Sequence, residues 1–380
     1  MSTTRAFEPP PYPYHRLDGM KAEADAFEGG VVDCSVGTPC DPPPDAVLSA
    51  LATSGTERGY PESAGSAAYR RAAADWMARR FGVTVELSAV SACVGTKEFV
   101  ASTPQLLRLR TPERDTVLYP AVSYPTYAMG ALLSGCRAVA VPPTAADGTG
   151  LALDRLDPSD AERALLLWVN SPSNPTGGLS DLDAAARWGR EHDVAVFSDE
   201  CYCEFTWAAP PRSILESGSI GVVAVHSLSK RSNQAGVRAG FFAGDPELVG
   251  FLTDLRRHGG LMVPGPVQAA AIAALGDDEH VAAQRARYTE RLEYLAGLFA
   301  SFGWPVSLPA GSFYLWVPVP SRLPDAWAMA AALAASGGML VSPGDLYGEA
   351  GARFVRVATV QPMERLELVG RRLAHSALAG

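Results

Sequence analysis

Lysine is scarce in this chain: only Lys21, Lys97 and Lys230 occur among its 32 Lys and Arg residues. Arg stays protonated, whereas a Lys whose pKa is lowered by burial can form a Schiff base with an aldehyde. Lys230 follows the apolar run 220–225, which predicts a buried strand. We therefore expect Lys230 at the carboxyl end of a strand, where open α/β sheets bind ligands. The ordinary alternative for such a Lys is a surface charge.

Other polar residues follow predicted strands in the same way. Asp199 and Glu200 come directly after an apolar run, and one buried carboxylate there could hold a proton on a heterocyclic nitrogen. Tyr202 could reach another edge of the same ring. Asn174 stands in an Asn-Pro-Thr-Gly turn after another apolar run, which would place its amide beside Lys230. Solvated loop acids and a simple turn Asn are the alternatives.

Three further sites could bind anions. Gly95-Thr96-Lys97 stands at a predicted strand-to-helix junction, where backbone N–H groups and the positive helix end favour a phosphate. Arg238 has small neighbours that would let a phosphate approach closely. Arg356 is the only charge in the apolar run 354–358, and a buried Arg needs an anion, either a structural acid or a substrate carboxylate.

Together these residues describe the partners of one ligand. Lys230 would react with an aldehyde, and Asp199 would pair with a protonated ring nitrogen. The residues that would bind a phosphate are Gly95, Thr96, Ser227 and Arg238. The ligand with all three features is pyridoxal 5'-phosphate.

The elements that must position these residues alternate between strands and helices. Strands are predicted at 90–94, 116–119, 137–141, 164–170, 194–198, 220–226 and 237–243. Apolar strands separated by helices predict a mostly parallel, seven-stranded α/β sheet. The last two strands leave no room for a helix between them, so we expect that pair to be antiparallel.

The chain divides into three predicted parts. Residues 1–44 form an N-terminal arm and part of a small domain, 45–265 a large domain, and 266–380 a linking helix and a smaller α+β C-terminal domain. The first 18 residues are rich in Pro and Tyr. Such arms are typically disordered or lie across a neighbour.

Composition narrows the classes of partner. The 380 residues carry a net charge of -9 with no basic run, which argues against nucleic acid and anionic membranes. No run of about 18 apolar residues and no secretory signal is present, so we expect a cytoplasmic protein without a membrane partner. The six cysteines lack zinc-site spacing. We expect free buried thiols and no metal.

The motifs, taken in order, resemble those of the fold-type I, class I/II pyridoxal-phosphate-dependent aminotransferases over nearly the whole chain. They are Tyr60 with Gly65, Gly95-Thr96-Lys97, Tyr124, the runs 174–177 and 199–202, Ser227-Leu228-Ser229-Lys230, Arg238 and Arg356. Within that family the chain is most similar to actinobacterial N-succinyldiaminopimelate aminotransferases. The segments that carry this likeness are 35–39, 170–177, 226–230 and 262–268.

The resemblance implies catalytic and ring-binding roles. Lys230 would form the Schiff base and move the proton between the substrate Cα and the cofactor C4'. Asp199 would pair with the pyridinium nitrogen. Asn174 and Tyr202 would bind the phenolic oxygen, and Tyr124 would stack on the ring.

It also implies the anion sites. The phosphate would be held by Gly95, Thr96, Lys97, Ser227 and Arg238. Tyr60 would reach this phosphate from the second subunit of a homodimer whose active sites lie at the interface. Gly37, Asn174 and Arg356 would take the substrate's α-carboxylate.

The chain departs from this family pattern at three places. Tyr69 stands where relatives carry Leu, Thr359-Val360 replaces a Leu-Thr-like pair, and the segment 203–207 is particular to this chain. We expect these departures near the substrate.

Three functions are compatible with these motifs. The first is transamination between glutamate and a 2-oxo acid, with N-succinyl-2-amino-6-oxopimelate as the acceptor that the resemblance implies. The second is a specialised-metabolism enzyme that performs β- or γ-elimination, replacement or carbon–carbon bond formation on an amino acid such as S-adenosylmethionine. Both would use the same lysine and cofactor. The third is a cofactor-sensing regulator, which would need a nucleic-acid module ahead of Gly37 that the acidic chain has no room for.

Overall fold

The computed structural model describes residues 7–376, so residues 1–6 of the predicted arm lie outside the described residues. The strands are β1 (Val32–Asp33), β2 (Val90–Cys93), β3 (Thr116–Pro120), β4 (Arg137–Val141), β5 (Ala164–Asn170), β6 (Ala195–Asp199), β7 (Val222–Ser227), β8 (Gly240–Gly244), β9 (Tyr314–Pro318), β10 (Met339–Leu340), β11 (Ser342–Pro343) and β12 (Phe354–Ala358). The α-helices are α1 (Asp18–Asp25), α2 (Asp45–Ala52), α3 (Ala67–Phe81), α4 (Thr96–Leu107), α5 (Thr126–Leu133), α6 (Pro158–Glu162), α7 (Leu182–Glu191), α8 (Leu228–Arg231), α9 (Pro246–His258), α10 (Gly265–Gly276), α11 (Glu279–Ser301), α12 (Ala326–Gly337) and α13 (Met363–Leu373).

Seven strands form the large sheet, in the order β2-β8-β7-β6-β5-β3-β4. The pairs β3–β4, β3–β5, β5–β6 and β6–β7 are parallel. Strand β8 runs antiparallel to both β7 and β2, because the chain returns directly after α8 without a helical crossover of the usual length. The prediction of a mostly parallel seven-stranded sheet with one antiparallel pair after β7 is confirmed.

Helices cover both faces of this sheet, as the wholly buried strands require. One core cluster joins α2, α3, α7 and α10 to one face, and a second joins α4, α5 and α9 to the other. Alternate residues of a strand serve the two faces: in β7, Ala224 packs in the first cluster and Val223 and Val225 in the second. We call this sheet with its helices, from α2 to α10, the large region.

The remaining elements form what we call the small region: β1, β9 to β12, α1, and α11 to α13. Strands β11, β12 and β9 make an antiparallel sheet, and β1 pairs in parallel with β10. The β1–β10 pairing joins the first 33 residues to the C-terminal part of the chain. Helix α10 packs against α2 and α3, so it associates with the large region although the predicted boundary at residue 265 precedes it. The three-part division stays a prediction.

The N-terminal arm differs from the expectation that it would be disordered or lie across a neighbour. Pro13–Leu17 is a 3-10 helix, and Leu17 is buried. Leu17 packs with Val122, Trp316 and Leu340 of the same chain. These partners are more than 100 residues away along the chain, so local composition gave no sign of them.

Two sequence expectations concern surface chemistry. Within residues 7–376 no helix is long and apolar enough to cross a membrane. All six cysteines are free, but Cys40 is exposed rather than buried and Cys201 is only partly buried. The expectation of uniformly buried thiols is therefore wrong at these two positions.

Candidate active site

A cavity of about 490 Å³ lies at the carboxyl ends of β5, β6 and β7, between the large and small regions. Parallel strands bring their carboxyl ends to one edge, which is why Asn170, Asp199 and Ser227 meet there. The predicted site residues that line the cavity are Gly37, Thr96, Lys97, Tyr124, Asn174, Asp199, Tyr202, Ser227, Lys230, Arg238 and Arg356. Short motifs spread over some 320 positions thus converge on one chamber.

Lys230 lies in the short helix α8, directly after β7. Its ammonium group donates a hydrogen bond to the carbonyl oxygen of Gly37. Burial lowers the pKa of Lys230 to about 8; Cys201 opposes this shift, while Arg356 adds to it. A substantial fraction of the amine is therefore neutral near physiological pH and able to act as a nucleophile or base.

Asp199 is the last residue of β6 and is buried. Its Oδ2 accepts a hydrogen bond of 2.9 Å from the Tyr127 hydroxyl, and its Oδ1 accepts one of 3.2 Å from the backbone N–H of Cys201. Burial raises the pKa of Asp199, and both donors counteract that rise because they stabilise the carboxylate. A buried carboxylate held in this way is suited to bind a protonated ring nitrogen.

Tyr127 is a site residue that sequence reasoning missed. It lies in α5 and packs among the apolar core residues of the second cluster, so its position in the sequence is that of a buried core aromatic. The hydroxyl partner, Asp199, is 72 residues away. Tyr124, three residues earlier in the turn that precedes α5, also lines the cavity.

Asn170, at the end of β5, fixes the loop that follows it. Its Nδ2 donates to the carbonyl oxygen of Asp199 at 2.9 Å, and its Oδ1 accepts from the backbone N–H of Asn174 at 2.8 Å. Asn174 Oδ1 in turn accepts a 2.8 Å hydrogen bond from Arg356 Nη1. Asn170 carried part of the family resemblance, but it was not predicted to hold Asn174 in place.

The predicted phosphate site lies at the N-terminus of α4. Gly95 has φ 82°, and a Cβ atom there would come within 2.3 Å of Arg238 Nη2, so only glycine fits. Arg238 itself adopts φ 64°, an uncommon conformation for a non-glycine residue. Helix N–H groups, the Ser227 hydroxyl and the Arg238 guanidinium together form a donor set that suits a phosphate.

Arg356 occupies the middle of β12 and is only 2% exposed. Besides Asn174, it donates to the carbonyl oxygen of Ser35, and the rings of Tyr314 and Tyr347 lie 4.4 and 4.7 Å from its Cζ atom. Among the residues that the structure describes, no Asp or Glu forms an ion pair with it. A buried guanidinium without an acid partner is ready to bind an anion that enters the cavity.

Tyr314, in β9, is a second residue that sequence reasoning missed. Its hydroxyl lies 2.9 Å from the Tyr202 hydroxyl. A Cβ atom on Gly37 would fall 1.9 Å from the same hydroxyl, which explains why glycine stands there. Tyr314 therefore links the predicted ring-binding Tyr202 to the predicted carboxylate-binding Gly37 and Arg356, and nothing in its local sequence marks it.

Two predicted site residues do not line the cavity. Gly95 lies just behind the wall, against Arg238. Tyr60 is 96% exposed and is not part of the cavity wall of its own chain. That position neither supports nor contradicts a contact with a second subunit.

The three departures from the family pattern were expected near the substrate, and two of their residues, Phe205 and Val360, pack in one cluster with the cavity-lining Tyr202 and Tyr314. None of the departing residues lines the cavity itself. Tyr69 is buried below the sheet, where its hydroxyl donates to the carbonyl oxygen of Gly240 at 2.7 Å. The Thr359 hydroxyl donates to a backbone carbonyl, and residues 203–207 pack with the aromatic ring of Tyr288. These residues stabilise the scaffold.

Comparison with known proteins agrees with this geometry. The family of class I and II aminotransferases matches residues 30–371. The chain is 40% identical to the 4-dedimethylamino-4-oxo-anhydrotetracycline transaminase of Streptomyces rimosus (96% of this chain, 99% of the relative). It is 42% identical to a probable aminotransferase of Mycobacterium tuberculosis (95% and 85%). A solved structure of a probable N-succinyldiaminopimelate aminotransferase from Thermus thermophilus superposes with a TM-score of 0.85 (29% identity; 95% and 99%).

The chain belongs to the class I and II aminotransferases. Enzymes of this family use pyridoxal 5'-phosphate, and the residues present fit that cofactor. The cavity supplies an amine of lowered pKa, a buried carboxylate and a phosphate-binding helix end, each of which matches one functional group of the cofactor. This protein is therefore a pyridoxal-phosphate-dependent aminotransferase-family enzyme of fold type I.

Proposed function

We propose that the enzyme transfers an amino group between glutamate and a 2-oxo acid. The observation that carries this proposal is that Lys230 and Arg356 both hydrogen-bond to the short segment 35–37. Lys230 donates to the carbonyl oxygen of Gly37 and Arg356 to that of Ser35. Two residues span at most about 7 Å. One small amino acid can therefore reach both the base and the guanidinium.

Arg356 supplies the means to orient such a substrate. Its guanidinium is held by Asn174 and by the Ser35 carbonyl, so its direction is set before substrate enters. A carboxylate bound there gains charge-assisted hydrogen bonds in a site from which water is largely excluded. The α-carbon of the amino acid is then presented towards Lys230.

Lys230 and Asp199 carry the proton chemistry. When bound, pyridoxal phosphate supplies an electron sink for the carbanion formed at the substrate Cα. The neutral Lys230 amine would serve as the base for the proton at the substrate Cα, a role that requires a pKa near the working pH. Asp199, ordered by Tyr127, would pair with the ring nitrogen of the bound cofactor.

The relatives support transamination without agreeing on the acceptor. One is named for an oxo-anhydrotetracycline, and one structural neighbour for N-succinyldiaminopimelate. N-succinyl-2-amino-6-oxopimelate is the acceptor predicted from the sequence resemblance, and it is one candidate 2-oxo acid to be tested here. We propose glutamate as the amino donor whichever acceptor is used.

The test is a single-turnover titration of the holoenzyme with L-glutamate, followed by the visible spectrum and by release of 2-oxoglutarate. We expect stoichiometric conversion of the cofactor to its aminated form. If the spectrum does not change and no 2-oxoglutarate forms, the proposal of glutamate as donor fails. Reaction of S-adenosylmethionine or another amino acid without amination of the cofactor would then favour the elimination or replacement chemistry.

We further propose that two chains form a homodimer in which Tyr60 completes the partner's site. The place of Tyr60 in the family's motif order supports the idea, and its 96% exposure leaves the ring accessible to a second chain. Mixed dimers of Tyr60→Ala and Lys230→Ala subunits would contain one intact site. Recovery of activity on mixing supports the proposal, and a monomeric mass in light scattering overturns it.

A further inference from the structure

Residues 12–17, which we call the arm segment, are anchored on the small region. Leu17 is buried there. The Arg16 guanidinium lies 4.0 Å from the ring of Trp327 and 3.4 Å from Asp345 Oδ2, and Trp327 Nε1 donates to the same carboxylate at 2.9 Å. The arm segment is thus fixed at its C-terminal end by apolar burial and by a small polar cluster.

From this anchor the arm segment crosses the mouth of the cavity. The Tyr14 hydroxyl lies 2.8 Å from that of Tyr347. Tyr12 reaches the large region, where the Lys97 ammonium lies 5.2 Å from its ring centroid and 5.6 Å from that of Tyr124. Both arm tyrosines line the cavity. The mouth is therefore bounded by the two regions and bridged by two phenol rings.

Tyrosine is concentrated at this cavity: six of the chain's twelve line it. Four of the six are engaged in the cofactor half, namely Tyr124, Tyr127, Tyr202 and Tyr314. Tyr12 and Tyr14 are the two that remain. Tyr12 is 47% exposed and lines the cavity, and its ring also contacts Lys97 and the ring of Tyr14.

The positively charged residues that line the cavity indicate which kind of substrate side chain the Tyr12 ring would contact. They are Lys97, Lys230, Arg238 and Arg356. Arg238 faces the phosphate site, and Arg356 and Lys230 face the reacting carbon. The Lys97 backbone lies in the first turn of α4, at the predicted phosphate site, but its side-chain ammonium lies at the rings of Tyr12 and Tyr124. Its ammonium makes favourable cation–π contacts with two rings, and it lacks the forked donors of an Arg that best bind a buried carboxylate.

We propose that Tyr12 and Tyr14 form an aromatic specificity wall that selects an acceptor 2-oxo acid with a flat aromatic side chain. The inference rests on the proposed transamination and names the substrate class for the same site. The α-carboxylate binds Arg356, and the side-chain ring packs on Tyr12 and Tyr14. An offset or edge-to-face ring pair contributes about 0.5–1.5 kcal/mol beyond the burial of apolar area, which an aliphatic dicarboxylate cannot obtain there.

The first experiment measures kcat/KM of the holoenzyme for phenylpyruvate, 4-hydroxyphenylpyruvate and indolepyruvate against oxaloacetate and N-succinyl-2-amino-6-oxopimelate, with L-glutamate as donor. We expect the aromatic acceptors to be preferred. If glutamate converts the cofactor but the aliphatic dicarboxylic acceptors react faster, the aromatic wall is refuted and the proposed function stands. If glutamate does not convert the cofactor at all, the proposed function itself fails.

A pair of variants then assigns the preference to the arm segment. Tyr12→Leu keeps an apolar side chain but removes the ring, and Tyr12→Phe keeps the ring. We expect the ratio of aromatic to aliphatic kcat/KM to fall roughly 3- to 10-fold in Tyr12→Leu and to persist in Tyr12→Phe. A structural role alone would lower both kcat/KM values together and leave their ratio unchanged, which would overturn the assignment.

Equilibrium binding gives a readout independent of turnover. The dissociation constant of the holoenzyme for 3-phenylpropionate, compared with that for glutarate, reports side-chain selection with no chemistry. We expect 3-phenylpropionate to bind more tightly and to lose that advantage in Tyr12→Leu. Tighter binding of glutarate by the wild-type enzyme would instead assign the mouth to a second carboxylate at Lys97.

Discussion

The two halves of the cavity are built differently. Its floor consists of Asn170, Asp199, Ser227 and Lys230, which stand at or just after the ends of three adjacent strands of one sheet. Its mouth is bridged by Tyr12 and Tyr14 of the arm segment, which contact Lys97 of the large region and Tyr347 of the small region. Floor residues are placed by a continuous backbone ladder. Mouth residues are placed only by side-chain packing between distant parts of the chain.

This difference separates chemistry from selectivity. A backbone ladder holds the floor rigidly, as preorganised acid–base and electrostatic catalysis requires. The mouth depends on contacts such as Arg16 with Trp327 and Tyr14 with Tyr347, which can change without disturbing the sheet. We therefore expect floor substitutions to abolish the reaction for every substrate, and mouth substitutions to change which substrate is used.

The largest effect is expected at the floor, for Lys230→Ala. Loss of the amine removes both the attachment point and the base, so the half-reaction with glutamate should slow by at least about 10³-fold. Stopped-flow absorbance of the bound cofactor measures this rate. Lys21 and Lys97 are the only other lysines, and a variant that still turns over through an adduct to either of them would contradict the assignment.

Asp199→Ala should be nearly as damaging, with a loss of about 10²- to 10³-fold, because it removes a preorganised charge from a site of low dielectric. Folding should suffer less, since burial already disfavours the charged form of this group, as its raised pKa shows. Rates and thermal unfolding should be measured on the same preparations. Unchanged turnover would remove Asp199 from the mechanism.

Arg356→Lys tests the boundary between floor and mouth. It keeps the charge but loses the fork that contacts both Asn174 and the Ser35 carbonyl. We expect kcat/KM for amino acids to fall roughly 10- to 100-fold, as expected for one or two charge-assisted hydrogen bonds of about 1.5–3 kcal/mol. This loss should appear mainly as an increase in KM. Equal losses of cofactor affinity and of substrate affinity would show that the residue supports the floor instead.

The smallest effect is expected for Tyr127→Phe, which removes one hydrogen bond to Asp199 Oδ2. A loss of about 0.5–1.5 kcal/mol corresponds to roughly 2- to 12-fold in rate. The Tyr127 hydroxyl lowers the pKa of Asp199, so its removal should raise that pKa and move the acidic limb of the pH–rate profile to higher pH. A profile that does not move would indicate that Tyr127 only fills space.

The sequence by itself determined the sheet and most of the floor. Buried strands are recognisable from apolar runs, and the predicted runs 137–141 and 164–170 coincide with β4 and β5. A polar residue directly after such a run must lie at the ligand-binding edge, so Asp199 and Lys230 could be found without any structure. Their positions depend on local periodicity and on chain direction, and both can be read from consecutive residues of the sequence.

Only the tertiary structure decided which side chains complete the site. Tyr127 meets Asp199 across 72 residues, Tyr202 meets Tyr314 across 112, and Tyr14 meets Tyr347 across 333. It also showed that Tyr69 bonds to the Gly240 carbonyl and that Phe205 packs against Tyr202 and Tyr314 without lining the cavity itself. The physical reason is the same in each case: a hydrogen bond or ring contact between remote residues depends on how helices and regions pack, and that packing leaves no periodic trace around either partner.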